Sequence, residues 1–483
     1  MNKHRTIFVC KNCGRESPKW LGRCADCGEW NTLVETTVAP QASSPPRTGN
    51  APQELAQVSL ASVSRIALPL GEFNRVLGGG IVPGSLVLIG GDPGIGKSTL
   101  MLQVASLATQ LTQSTQETPQ TQRTQRTQET QQTQGTPVVY VSGEESLGQI
   151  KLRAERLGVT GKGLFLLSET NLEGILSRLA EMSPRLVVID SIQTMYQEGS
   201  PAAPGSLLQV RECTLRLMRW AKESGVPVLI AGHVTKDGAI AGPRVLEHMV
   251  DVVLYMEGES GSAYRILRGV KNRFGSTNEV GVFEMQGQGL VEVSNPSQVF
   301  LAGRGEQSIG SAIIPVMEGT RPLLVEVQAL TTPTIFGTPR RTANGVDFNR
   351  LVLLAAVLSK RVGLALGNQD IIVNVVGGFK VDEPAADLGI ALAIASSFRE
   401  SPLEPGLVVM GEVGLSGELR PVPQLERRLE EAARLGFKKC LVPGRKTGIE
   451  IVTEKKIEIV RAESLREAMR VVLGHGSQSK AQD

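Results

Sequence analysis

Aromatic side chains make up only 4% of this 483-residue chain, and histidine occurs 4 times. So low an aromatic content argues against extensive base stacking and leaves backbone contacts as the expected way of holding a nucleic acid. Long apolar runs are also missing. The first, behind the polar and basic Met1–Arg5, stops at Cys10, too short for a secretory leader, and no run approaches the ~20 residues of a membrane span. The chain is therefore expected to be soluble and cytoplasmic, with no membrane partner. A net charge of +3 is slight for this length, so a nucleic-acid site has to be a local basic patch. In a reducing compartment clustered cysteines, as 4 of the 6 are here, are better suited to metal than to disulfides. The length admits about three domains of ~150 residues.

What is present begins with a repeat. Cys10-Lys11-Asn12-Cys13-Gly14 and Cys24-Ala25-Asp26-Cys27-Gly28 are two copies of one knuckle, each closed by a glycine that tolerates the positive φ of a tight turn. Paired knuckles predict one tetrahedral Zn²⁺ site of thiolates Cys10, Cys13, Cys24 and Cys27 over residues 1–34, with two disulfides as the alternative. Trp20 and Trp30 are expected to pack the small core, with a partner-facing position as the other reading. Residues 35–57, rich in Pro, Ser, Ala and Gln, read as a flexible linker. Cys213 and Cys440 stand alone in apolar-periodic stretches and read as core residues.

The centre of the chain is Gly91-Asp92-Pro93-Gly94-Ile95-Gly96-Lys97-Ser98-Thr99, between an apolar strand-like run and a helix-like segment. This is the phosphate-loop pattern in full, and it predicts ATP bound by these residues. The backbone N–H groups cradle the phosphates, Lys97 reaches the β- and γ-phosphates, and Ser98 ligates Mg²⁺. Further strand-like runs at Val138–Val141, Leu164–Leu167, Leu186–Ile189, Val228–Ala231 and Val252–Tyr255 alternate with helical segments, which predicts an α/β domain built on a parallel sheet. Residues 110–136, almost wholly Thr and Gln, read as a disordered insertion.

Chemistry in such a sheet collects at the carboxyl ends of its strands. Asp190 ends one run, where an acid supports Mg²⁺ through water, with a helix cap as the bland alternative. Glu144 and Glu145 follow another, where a carboxylate can polarise the attacking water, and the sequence does not choose between them. His233 is placed to sense the γ-phosphate or to lie in a solvated loop, and Thr235–Arg244 is suited to touching a polymer. Lys271 and Arg273 follow an alternating strand, Tyr264–Val270, expected at the sheet edge. They are either a solvated pair or cations that reach a phosphate across a subunit boundary.

The doubled knuckles, Gly-Gly-Asp-Pro-Gly-Ile-Gly-Lys-Ser-Thr, Tyr-Val-Ser-Gly-Glu-Glu-Ser and Lys-Asn-Arg-Phe-Gly, in this order, resemble the RadA (Sms) family of bacterial DNA repair proteins over nearly the whole chain. The resemblance implies a RecA-like ATPase over residues 58–285, a Lon-protease-like domain over 286–473 and a short tail, 474–483. It further implies a homo-oligomeric ring, a hexamer, that moves on single-stranded DNA and branched recombination intermediates by branch migration. RecA recombinase and a replicative helicase are the implied protein partners. Carried over by position, Lys97 and Ser98 bind nucleotide and Mg²⁺, Asp190 supports the metal, Glu144 is the catalytic carboxylate, and Lys271 and Arg273 fall on the family signature. The Lon likeness rests on Val373–Gly378, Asp382–Asp387 and Gly411–Leu425. It puts Ala385 where a Lon protease has its serine and Glu426 where it has its lysine, so peptidase chemistry is not expected. A Lon-like protease, a RecA-type strand-exchange protein and a non-motor nucleotide switch are the rival readings.

Overall fold

The apolar runs that the sequence alternates with helical segments become strands of one sheet, the central ones covered on both faces and Leu164–Ser168 half-buried at an edge. A computed structural model describes residues 5–10, 15–25, 28–38, 54, 64–111, 136–200, 202–233, 244–258, 262–301, 308–335, 337–377, 380–444 and 457–473. The expectations for residues 112–135, for most of the linker, for 234–243 and for the tail 474–483 concern residues outside these. The chain divides into two compact units, Met1–Glu257 with Arg265–Glu292, and Gly258–Tyr264 with Val293–Asp483.

In the first unit, strands β1 (Arg5–Cys10), β2 (Glu16–Ser17) and β3 (Leu33–Val38) form an antiparallel sheet in the order β2-β1-β3. Since β3 pairs with β1 as far as Val38, the zinc module runs past residue 34, into what the sequence assigns to the linker. Its interior is filled by Cys10, Cys24 and Leu33, with Phe8 against them. Trp20 and Trp30 are 55% and 67% exposed, which corrects the expectation that they pack this core.

The remaining strands of this unit form one nine-stranded sheet. They are β4 (Leu86–Gly91), β5 (Val138–Ser142), β6 (Leu164–Ser168), β7 (Leu186–Asp190), β8 (Val228–His233), β9 (Val252–Glu257), β10 (Tyr264–Asn272), β11 (Val280–Gln286) and β12 (Gly289–Glu292). The order is β12-β11-β10-β9-β4-β8-β7-β5-β6, parallel from β9 to β6. Alternate residues of β4 face opposite layers. Val87 and Ile89 join the core beneath helix Lys97–Gln110, while Leu86 and Leu88 join the one beneath helix Leu207–Ser224. Cys213 is fully buried in the latter, and burial pushes its thiol up to about 12.

Two sequence expectations need correcting here. The strand carrying Lys271 is not an edge: β10 lies between β9 and β11, and the edges are β12 and β6. The reason is that β11 and β12 form a further hairpin on the same sheet, which therefore continues past residue 285 to Glu292.

The second unit is built on a seven-stranded sheet from β13 (Ser311–Glu318), β14 (Arg321–Pro333), β15 (Arg341–Asn344), β16 (Gln369–Val375), β17 (Leu407–Val409), and, after the small ribbon β18 (Glu412–Val413) and β19 (Leu419–Arg420), β20 (Lys439–Pro443) and β21 (Glu458–Ala462). The order is β15-β16-β14-β13-β17-β20-β21. Helix Asp387–Arg399 is buried along most of its length. Ser396 and Ser397 belong to it as packing residues: Ser396 Oγ accepts from Gly310 N at 2.9 Å and Ser397 Oγ from Thr331 N at 2.8 Å. Cys440 is fully buried, and burial pushes its thiol up. Among the described residues, no helix is long and apolar enough to cross a membrane.

This unit is held together by charge as well as by apolar packing. Arg428, fully buried, donates to both carboxylate oxygens of Glu383, at 2.8 and 2.5 Å, and to the carbonyls of Pro315 and Pro423. Removing the guanidinium leaves a largely buried carboxylate and two carbonyls without that partner, a loss of about 3 kcal/mol. Arg428→Met should accordingly lower the unfolding free energy of this unit by that order, read from the fall of its denaturant midpoint, while Arg427→Met, on the exposed face of the same turn, should leave it nearly unchanged.

Candidate functional site

The phosphate loop leaves β4 at Gly91 and enters helix Lys97–Gln110 at Gly96. Glycine is required at both ends for stated reasons. Gly91 has φ 149°, and a Cβ there would lie 2.6 Å from the Met256 carbonyl oxygen. Gly96, the helix N-cap, has φ 118°, and its Cβ would lie 2.7 Å from Met285 Cε. Between them Asp92 is half-buried, Pro93 and Gly94 are exposed and Ile95 is buried, while Ser98 and Thr99 are half-buried on the first turn. Lys97 is only 4% exposed, and its Nζ donates to the carbonyls of Gly91 at 2.8 Å and Asp92 at 2.9 Å. Burial lowers the pKa of this ammonium, and Asp190, Asp92 and Glu144 act against that shift.

The parallel register gathers the predicted acids at the same end of the sheet. Gly91 pairs with His233 on β8, and Ser142 on β5 pairs with Asp190 on β7. The side chain of His233 lies outside the described residues. Asp190 is buried and accepts from the Tyr140 hydroxyl at 2.5 Å. Burial and the adjacent carboxylate push the Tyr140 phenol well above its ordinary range, so it stays a donor. Glu144 and Glu145 part company here. Glu144 accepts from Ser191 Oγ, next to Asp190, and acts electrostatically on Lys97. Glu145 is ion-paired with Arg153, and its N–H donates to Ser142 Oγ at 3.0 Å. Sequence reasoning missed Tyr140, which orients Asp190, and Arg265, whose Nε donates to the Ile95 carbonyl at 3.1 Å. A lone polar tip inside the apolar run Val138–Ser142 was the available signal for Tyr140.

Lys271 and Arg273 are at the other end of this sheet. β10 runs antiparallel to β9, pairing Asn272 with Val252, and Val252 pairs with Val87 at the start of β4. From Val87 to Gly91 is roughly 13 Å along the strand at ~3.3 Å per residue. Lys271 Nζ donates to the Glu247 carbonyl at 2.6 Å, and its pKa is lowered first by burial and then by Arg273. Arg273 Nη1 lies 2.9 Å from Asp251 Oδ1. Asp251 is 3% exposed, and its Oδ2 accepts from Leu86 N at 3.1 Å. One buried carboxylate therefore joins the signature arginine to the root of the phosphate-loop strand.

In the zinc module, the two knuckles close with matching bonds, Cys10 N to Arg15 O and Cys24 N to Glu29 O, both 2.9 Å. Gly28 has φ 72°, the conformation expected of the residue closing a knuckle. Cys10 and Cys24 are both buried in one small cluster, which fits a thiolate pair of a tetrahedral site. Cys13 and Cys27 lie outside the described residues. In the second unit, Ala385 is buried in the turn Pro384–Ala386, its carbonyl accepting from Gly411 N at 2.9 Å, while Glu426 is exposed on the first turn of helix Leu425–Arg434. The adjacent Asp387 is buried and paired with Arg350, Nε to Oδ1 2.6 Å.

Comparison with known families matches an AAA domain over residues 52–239, a rubredoxin metal binding domain over residues 8–35 and subunit ChlI of Mg-chelatase over residues 328–446. These are the ATPase, zinc-ribbon and Lon-like parts of the mixed α/β architecture expected from the sequence. A KaiC-like protein from Pyrococcus horikoshii superposes with a TM-score of 0.35 at 18% identity, covering 48% of this chain and 99% of that one, a similarity too weak to bear on the fold. Among curated proteins, the DNA repair protein RadA of Bacillus subtilis is 52% identical over 98% of this chain and 100% of its own length. That of Halalkalibacterium halodurans is 52% identical over 98% and 100%, and that of Listeria monocytogenes 50% over 98% and 99%. Similar at this level from end to end, the chain belongs to the RadA family of DNA repair proteins.

Proposed function

We propose that this protein is a cytoplasmic DNA-dependent ATPase of recombinational repair, a hexameric ring that moves on single-stranded DNA and promotes branch migration of recombination intermediates. RecA recombinase and a replicative helicase are its protein partners in this reading. The single observation that supports it most is the separation of the chemical groups. The phosphate loop, Asp190 and Glu144 lie at one end of the sheet, and Lys271 and Arg273 at the other, too far along the strands to serve their own nucleotide. A neighbouring copy can use them, and head-to-tail contacts of this kind generate a ring where the rotation between copies closes.

In this reading the phosphate loop from Gly91 to Thr99 holds ATP, and the Lys97 ammonium moves from the Gly91 and Asp92 carbonyls to the β- and γ-phosphates. Mg²⁺, held by Ser98 and supported by Asp190, neutralises phosphate charge when bound. Tyr140 fixes the Asp190 carboxylate, Glu144 polarises the attacking water and His233 senses the γ-phosphate. Glu145, taken up by Arg153, is structural. Cys10, Cys13, Cys24 and Cys27 hold one Zn²⁺, on which the small amino-terminal sheet depends. The Lon-like unit is a scaffold for assembly and DNA and is not a peptidase, since Ala385 offers no nucleophile and the exposed Glu426 no amine base.

Glu144→Gln should lower turnover by about 10²-fold or more while leaving ATP affinity in place. Glu145→Gln should reduce stability and leave chemistry near normal, and steady-state rates with nucleotide-binding titrations separate the two. For the subunit boundary, Lys97→Ala and Arg273→Ala should each be nearly inactive alone, with a loss of ~10³-fold for a cation supplied in trans. Mixed oligomers should recover turnover, because some interfaces then join an intact Lys97 to an intact Arg273. Mixed oligomers as inactive as either parent would rule out the trans role and leave these cations as DNA-phosphate contacts.

A further inference from the structure

The zinc module exposes Trp20 and Trp30, two of the 3 tryptophans in an aromatic-poor chain. Large apolar side chains left in water on so small a fold call for a partner. Nor are these rings on loose ends. The Arg23–Trp30 bridge and the bond from Asn31 N to Gly22 O, 2.8 Å, tie the two segments together. Gly22 sits where both rings meet: a Cβ there would be 3.7 Å from Trp20 Cη2 and 3.9 Å from Trp30 Cζ3. Arg23 is fixed by its Nε donating to the Gly28 carbonyl at 2.6 Å, and its guanidinium lies 5.8 Å from the Trp30 ring centroid. Among the described side chains between 15 and 31, the exposed cations are Arg15, Lys19 and Arg23, and the exposed acid is Glu29.

Rings that are held in place, open on a face and interleaved with cations match what a single strand offers, since bases stack on the π-faces and phosphates meet the positive charge. From this arrangement we infer that Trp20 and Trp30 form a stacking platform for unpaired nucleobases, with Lys19 and Arg23 on the phosphates. The zinc module is thereby a single-strand contact separate from the ATPase sheet, and its tight turns serve to hold two rings side by side. The inference rests on the reading that the chain works on DNA.

The test uses the full-length protein carrying Trp220→Phe, so that Trp20 and Trp30 supply all the tryptophan fluorescence. Oligothymidylate should quench that fluorescence, and an abasic strand of equal length should not. Trp20→Ala and Trp30→Ala, with zinc content unchanged, should each weaken oligothymidylate binding about tenfold and leave abasic-strand binding alone. Trp30→Phe, which keeps a ring, should retain most of the affinity, and Lys97→Ala should quench like its parent. If the strand binds but quenches nothing, or binds the Trp→Ala proteins as tightly as their parent, the platform is wrong and the DNA-motor reading stands. If the parent binds no DNA at all, both fall.

Discussion

An ammonium withdrawn from water needs acceptors, and Lys97 takes those that its own loop provides, the carbonyls of Gly91 and Asp92. That arrangement requires a backbone folded back on itself, which the positive φ at Gly91 and Gly96 permits and which, at Gly91, the Met256 carbonyl would block for any larger residue. The sheet supplies the rest. With β8 between β4 and β7, parallel pairing brings His233, Asp190 and the turn after Ser142 to the same end of the sheet as Gly91, His233 level with it and Asp190 level with Ser142. The acids around Lys97 keep it charged against the pull of burial, so the loop retains a cation for phosphate to displace toward itself.

The antiparallel return of β10 governs the other half of the design. A further parallel strand would have brought its carboxyl end to the phosphate loop. Running the opposite way, β10 begins near the loop, where Arg265 meets the Ile95 carbonyl, and ends beside Asp251 at the far end. Asp251 ties Arg273 to Leu86, so the signature arginine and the strand that leads into the phosphate loop share one buried anchor.

How much was legible in the sequence follows from which interactions are local. Within β4 to β9 the central strands are readable because a strand covered on both faces must be apolar throughout, and the phosphate loop because its glycines are needed by close approach. The first turn of a helix announces itself, as does a cysteine knuckle. The position of β10 was not readable: whether a strand is an edge depends on what pairs beside it, and the hairpin of β11 and β12 lies later in the chain. The tryptophans misled for a similar reason, since Cys10, Cys24 and Leu33 already fill an interior whose size the sequence does not state. Glu144 and Glu145 were equivalent as letters, and only the distant Arg153 and Ser191 distinguish them.

The central claim is that ATP chemistry in this protein is completed from outside the chain, by a neighbour's cations and by the DNA that arranges the neighbours. Steady-state ATP hydrolysis by the purified full-length protein, with and without single-stranded DNA at fixed protein concentration, tests it most directly. The account predicts a slow basal rate that rises severalfold with DNA. A rate indifferent to DNA would contradict it and leave a nucleotide switch in place of a motor.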